Sequence, residues 1–306
     1  MNPTKISRRA FGLIAGTLGA GRFSVHGAAA STAQDVMKQI RERLGADTND
    51  SNLDGFKAGH PETPVRGIAT TAMATFDVLR QASRAGLNLI VTHEPTFFGI
   101  RDGAPAATQP PGGGGRGPQG VAADDPVYRA KKEFIEKNSL VIFRLREQWL
   151  ATKQKEMAAG LADSLGWAGR GVDDDHKMYD IPATTLEEAV ASIRKKLNLR
   201  GGLRAVGTPK AKVRRVMLHP GLMSVATMWT HFDKVDLLVA GEVREWECVH
   251  YAADMNTAGE ERGLVTIGRV ASEDPGMRVC AAWLKTVVKG VPVQWISAGD
   301  PYWRAS

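Results

Sequence analysis

The pair His93-Glu94 is the clearest place in this chain for chemistry. An imidazole beside a carboxylate offers the nitrogen and oxygen donors that hydrolytic metal sites take. Both residues follow Leu89-Ile90-Val91, a short apolar run rich in β-branched side chains, which predicts a strand buried on both faces. Pro95 cannot continue a ladder, so the strand ends near His93 and Glu94. The carboxyl ends of buried strands are where α/β proteins build their sites. Neighbouring strand residues point to opposite faces, so the two reach one site only if the backbone turns, and Pro95 gives it reason to turn.

Residues 68–98 read as strand, helix, strand and the His-Glu-Pro turn. A second buried strand over 235–240 closes at Gly241-Glu242 and leads into a predicted helix over 243–255. A third, over 263–267, closes at Gly268-Arg269 and leads to Glu273. In this order the segments resemble the Nif-three-like dinuclear-metal hexameric protein family, the GTP cyclohydrolase type 2 homologues. That family has a strand ending in His-His-Pro or His-Glu-Pro, a later one ending in Thr-Gly-Glu, and a Gly-His-x-x-x-Glu segment. The resemblance covers the chain from about Val36 to Trp303.

The resemblance implies an α/β fold of two lobes with mostly parallel strands and a site in the cleft between them. It also implies a homo-oligomer, a hexamer in the family, and divalent metal ions as cofactors of a hydrolase. Carried onto this chain, His93, Glu94 and Glu273 would be the metal ligands, and Glu242 or Glu245 the base acting on bound water. The chain departs from the pattern in two places. Arg269 stands where the Gly-His motif has its imidazole, and Arg144-Leu145-Arg146-Glu147-Gln148-Trp149-Leu150 replaces a ligand-bearing stretch, whose final ligand position falls on Leu150. A guanidinium stays protonated and cannot bind a cation. Arg146 and Arg269 could instead supply the missing positive charge by pairing with Glu94, Glu242, Glu245 or Glu273.

Two readings stand side by side. One is a metal-dependent hydrolase with an incomplete dinuclear site, holding at most one divalent ion weakly. The other is a non-catalytic oligomeric binding or scaffold protein, with Arg–Glu pairs where the metals would be and a pocket for an anionic or planar ligand. Each residue also has a plainer explanation. Glu242 and Glu245 fall in the first turn of a predicted helix, where acids offset the dipole, and Glu273 stands just before another. His93 reads equally as a satisfied strand-end residue, His219 as a turn residue, and His250 as a surface one.

The 306 residues carry a net charge of +7 and a pI of about 9.5. No basic stripe is interleaved with aromatics, which argues against a nucleic-acid partner. Cys248 and Cys280 both fall on predicted helices and read as free buried thiols. Arg8-Arg9 before the weakly apolar stretch Phe11–Ala20 resembles a twin-arginine export signal, cleaved after Ala30, which implies a periplasmic or otherwise exported protein. That stretch is too short for a stable membrane span.

The organisation follows: residues 1–30 as export signal, 31–170 as one α/β lobe and 171–306 as a second. The first lobe opens with a helix over Thr32–Leu44 and a loop over 47–64. A Gly/Pro-rich insert, 103–120, follows the His-Glu-Pro turn and reads as a disordered surface insertion. Further helices are predicted over 126–137, 151–165, 185–197, 222–232 and 274–288, and strands over 139–145, 176–181, 213–218 and 292–296. No phosphate loop, dinucleotide fingerprint or Ser-His-Asp arrangement stands out.

Overall fold

The computed structural model describes residues 31–45, 53–99, 102, 121–175 and 177–303. The predicted export segment 1–30 and the insert 103–120 therefore lie outside the described residues. In chain order the elements are α1 (Ala33–Leu44), β1 (Gly55–Ala58), β2 (Ile68–Thr71), α2 (Phe76–Arg84), β3 (Leu89–Thr92), α3 (Pro126–Lys137), β4 (Val141–Arg144) and α4 (Glu147–Ser164). There follow β5 (Met178–Thr185), α5 (Leu186–Lys196), β6 (Arg204–Val206), β7 (Lys212–Met223), α6 (Val225–His231), β8 (Leu237–Val243), α7 (His250–Thr257), β9 (Gly263–Thr266), α8 (Arg269–Val287) and β10 (Val293–Trp295).

These strands form two sheets, ordered β1-β4-β3-β2-β10 and β5-β7-β8-β9-β6. Their inner pairings are parallel, while β1, β5 and β6 are antiparallel edge strands. The fold is α/β with mostly parallel strands, as the sequence implies. Strand β10 comes from the end of the chain yet completes the first sheet by pairing with β2.

Both sheets are covered on two faces, which explains their continuous apolar runs. Ile68, Leu89, Val91, Val141 and Phe143 pack with α1, α4 and α8. Their immediate neighbours Ala69, Ile90 and Ile142 point the other way, into a core with α2 and α3. The second sheet repeats the arrangement, with Val216, Leu218, Leu237 and Val239 against α4 and α5, and Met217, Leu238 and Ala240 on the α6 and α7 side. Cys248 and Cys280 are both buried and free.

Helix α8 touches strands of both sheets, β2 and β10 of one and β7 and β8 of the other, and packs closely along α4. Glycines set that approach. A Cβ on Gly160 of α4 would lie 2.7 Å from the Pro275 carbonyl oxygen, and one on Gly276 of α8 would lie 2.9 Å from Met157 Cα.

Several boundaries differ from the sequence expectation. Helix α8 begins at Arg269, not 274, and Pro275 lies inside it, where the missing N–H removes one rung of the ladder. The early start puts Arg269 and Glu273 four apart on one helical face. Helix α4 begins at Glu147 instead of 151, because Asp54, from the loop before β1, accepts the backbone N–H groups of Arg146, Glu147 and Gln148 at 2.9, 3.1 and 2.9 Å. Strand β8 runs on to Val243, and the helix expected over 243–255 becomes a π-helical turn, Glu245–Val249, followed by α7. Strand β7 likewise extends past 218 through His219-Pro220-Gly221 to Met223. Strands β1 and β6 are additions: one lies in the stretch read as loop, the other in the basic stretch between α5 and β7.

The Gly160 contact yields a direct test. Gly160→Ala forces a methyl group against the Pro275 backbone, and overpacking of this kind costs about 1–3 kcal/mol. The denaturant midpoint is expected to fall accordingly, with the slope of the transition unchanged.

Candidate functional site

Strand β3 delivers His93 and Glu94 as the sequence requires, by ending in a turn. The His93 N–H still donates to the Thr71 carbonyl at 3.1 Å and that of Glu94 to Ala72 at 2.8 Å, after which the Thr92 hydroxyl bonds back to the Glu94 carbonyl at 3.1 Å. Both side chains thereby reach one place, where α8 brings Glu273. Single ligand atoms of His93, Glu94 and Glu273 lie within 4.8 Å of one another, and all three residues are buried.

Arg146 enters this triad from the first residue of the α4 cap. Its Nη1 lies 2.8 Å from Glu94 Oε1, 3.0 Å from His93 Nε2 and 3.7 Å from Glu273 Oε1. The guanidinium is a donor only, so His93 Nε2 must accept, which uses the lone pair a metal would need. Arg269, from the first turn of α8, donates from Nη2 to the same Glu94 oxygen at 3.0 Å. Its Nε is 3.8 Å from Glu273 Oε1 and its Nη1 3.9 Å from Glu242 Oε2.

Glu242 therefore stands at the rim, about half exposed, in ion-pair range of Arg269. Glu245 does not join the group. It lies on the π-helical turn and pairs with Arg204 at 2.5 Å, both side chains mostly exposed. His219 is half-buried within β7, paired across to Ala240, and His250 is exposed at the start of α7. Leu150 packs against the core, as does Trp149, whereas Trp246 is exposed.

Three further residues shape the site without a motif to announce them. Arg144, buried at the end of β4, donates from Nε to the His93 carbonyl at 3.3 Å. Ser272 joins α8 to the second sheet by accepting from Gly221 N–H at 2.9 Å and donating to the Arg269 carbonyl at 2.6 Å. Gly221, at φ +80°, passes so close that a Cβ there would lie 2.7 Å from Glu273 Oε1. Asp54 could have been suspected as a helix cap, but its partners are about ninety residues away.

The electrostatics are those of a site balanced internally. Burial, followed by the charges of Arg146, Arg144 and Arg269, holds the His93 pKa well below its ordinary value, so the ring is neutral. Burial and then the negative charge of Glu94 push the Glu273 carboxyl up to about 8, against the pull of Arg146 and Arg269. Its buried Oε2 accepts from no donor, as suits a carboxyl that keeps its proton. Burial also works against the charge of Arg269, but Glu94, Glu273 and Glu242 together outweigh it and raise that pKa. The remaining charges, the guanidinium groups of Arg144, Arg146 and Arg269 against Glu94 and the rim acids Glu147 and Glu242, offset one another.

A two-metal centre needs more donors than one imidazole and two carboxyl groups supply, arranged around two ions about 3.5–4 Å apart. With a guanidinium nitrogen inside the group formed by His93, Glu94 and Glu273, the side chains gathered here among the described residues do not fit a dinuclear centre.

The pKa shifts set a pH dependence. Between pH 4.5 and about 8 the folded chain keeps a proton on Glu273 that the unfolded chain has lost, so stability falls as pH rises through that window. His93 acts oppositely, and only below its unfolded value of 6.5. From pH 6.5 to 8 the His93 effect no longer opposes that of Glu273, and the melting temperature is expected to fall by a few degrees. Glu273→Gln, which imitates the neutral acid, should flatten that slope; an unchanged slope would mean that Glu273 is ionised throughout.

No protein-family model matches the sequence, and no curated protein matches it. Solved structures do. A Staphylococcus aureus hypothetical protein superimposes with a TM-score of 0.65 at 16% identity, covering 90% of this chain and 99% of that one. A Bacillus cereus protein related to NIF3 gives 0.63 at 14%, covering 91% and 100%. Reduced HcgD from Methanocaldococcus jannaschii gives 0.54 at 13%, covering 87% and 96%. With the paired sheets, the wedged helix and the strand-end site described above, the chain has the NIF3-like fold.

Proposed function

We propose that this chain is a Nif-three-like protein that works as a non-catalytic binding or scaffold protein, with guanidinium groups standing in for the metal pair. One observation carries the reading: Arg146 Nη1 is in contact range of His93 Nε2, Glu94 Oε1 and Glu273 Oε1 at once. A divalent ion would have to displace that nitrogen and would then meet the positive charge of Arg269 at the same carboxylate. Homo-oligomer formation and export by the twin-arginine route belong to the same proposal. Their support is the resemblance and the Arg8-Arg9 motif. None of the described helices is long and apolar enough to cross a membrane.

A second reading, a hydrolase using a single divalent ion, has the grouping of His93, Glu94 and Glu273 in its favour. It requires Arg146 to swing out of the triad. Glu242 at the rim remains near the site in that reading, while Glu245, tied to Arg204, does not.

Metal analysis separates the two. The purified protein is expected to contain well under one divalent ion per subunit after brief exposure to zinc and buffer exchange. Arg146→Ala removes the internal cation and leaves buried carboxyl groups facing one another. Losing one partner of a buried ion pair costs about 3–5 kcal/mol. The variant should therefore melt earlier, take up one zinc ion per subunit, and recover stability when it does. Two tightly held ions in the unmodified protein would overturn the proposal and put the hydrolase first.

A further inference from the structure

Helix α8 has a second flank. Glu273 faces the triad, but the next residue, Asp274, faces a wide cleft of about 920 Å³ that none of the preceding residues of the triad lines. The cleft is walled by α8 on one side and by the start of α2, the chain after β10, and the turn after α5 on the others. It thus draws on elements around both sheets. Its volume falls within the range of about 300–1,000 Å³ typical of small-molecule sites.

The floor is rigid. The buried Asp274 carboxylate accepts from Ser297 Oγ at 2.5 Å, Ala298 N–H at 3.2 Å, Ala72 N–H at 3.3 Å and Trp295 Nε1 at 3.3 Å. These bonds satisfy the acid and fix the indole of Trp295, which stays partly exposed to the cleft. The Arg278 guanidinium lies 6.0 Å from the centre of that ring and is itself held by Asp163 at 2.5 Å. An aromatic platform with its orientation already fixed costs a planar ligand little ordering entropy.

The walls favour an anion. Lys196, Arg200 and Arg278 line the cleft from two directions. Lys196 is anchored to the Leu165 carbonyl, but the exposed Arg200 side chain makes no ion pair or hydrogen bond among the described residues. The acids are already engaged: Asp274 by its four donors, Asp300 by the N–H groups of Gly201 and Tyr302, and Asp77 by Arg80.

We propose that this cleft is a binding site for a planar aromatic anion of about mononucleotide size, its ring held against Trp295 and Arg278 and its anionic group by Arg200 and Lys196. The site is independent of the guanidinium-filled triad, so either assignment can fail without the other.

The test uses the full chain and three probes: flavin mononucleotide, adenosine monophosphate and uridine monophosphate, with riboflavin, adenosine, uridine and inorganic phosphate as matched partial ligands. Thermal stabilisation by at least one probe at 1 mM is expected, since a ligand that binds only the folded state raises its stability. The matched partial ligands should bind about tenfold or more weakly, and added salt should weaken the probe. Arg200→Ser changes an exposed side chain with no partner and should reduce affinity about tenfold while leaving the unliganded melting temperature unchanged. Trp295→Leu should reduce it at least as much, and Trp229→Leu, an exposed tryptophan elsewhere, should not. No stabilisation by any of the three probes would overturn the proposal. So would a probe whose affinity survives Arg200→Ser, which would place it at another surface.

Discussion

One oxygen atom, Glu94 Oε1, accepts from both Arg146 and Arg269. Through it the end of β3, the cap of α4 and the first turn of α8 are fastened at one point. Each of these elements also belongs to a different part of the packing: β3 to the first sheet, α4 to both cores, α8 to the seam between the sheets. A buried carboxylate with two cationic donors is worth having only if both are present. Taking either away leaves charge in a low-dielectric place, and the cost of that exceeds what the pair contributes.

That fastening depends on close helix contact. Arg269 and Glu273 reach the triad because α8 lies deep between the sheets, and it lies deep because Gly160, Gly276, Gly221 and Gly241 leave room for it. Side chains larger than hydrogen at these positions would lift the helix outward and carry both charged groups with it. The backbone-to-backbone approach is thus as much a part of the site as its polar atoms. The same depth gives α8 two working flanks, one toward the triad and one toward the Trp295 cleft.

Much of this was legible in the sequence. The apolar runs over 89–91 and 237–240 marked parallel strands, and Pro95 marked the turn that brings His93 and Glu94 together. The pairing of Arg146 and Arg269 with cleft acids was anticipated from the family resemblance, which puts imidazoles at those two positions, with Glu94, Glu242, Glu245 and Glu273 as candidate partners. The failures share a cause. The helix expected over 274–288 starts five residues earlier, at Arg269, because packing on both sheets holds the extra turn in spite of Pro275 inside it. Glu245 looked equivalent to Glu242 three residues before it, yet β8 continues through Val243 and the π-helical turn rotates Glu245 toward Arg204. Strand β1 and the Asp274 bonds depend on partners far away in sequence, and local pattern holds no trace of them.

Asp54 has a wider role than closing a helix end. The amino end of α4 carries the positive pole of its dipole, and Arg146 adds a full positive charge there. By itself that is an unfavourable address for an arginine. The Asp54 carboxylate, bound to three successive N–H groups, neutralises the pole and makes the position tenable. The position of the Arg146 guanidinium at the triad is therefore set partly outside it, by a loop acid that binds the helix backbone from far along the chain. Removing the Asp54 charge would loosen Arg146 at the triad without altering any of the three side chains that it meets there.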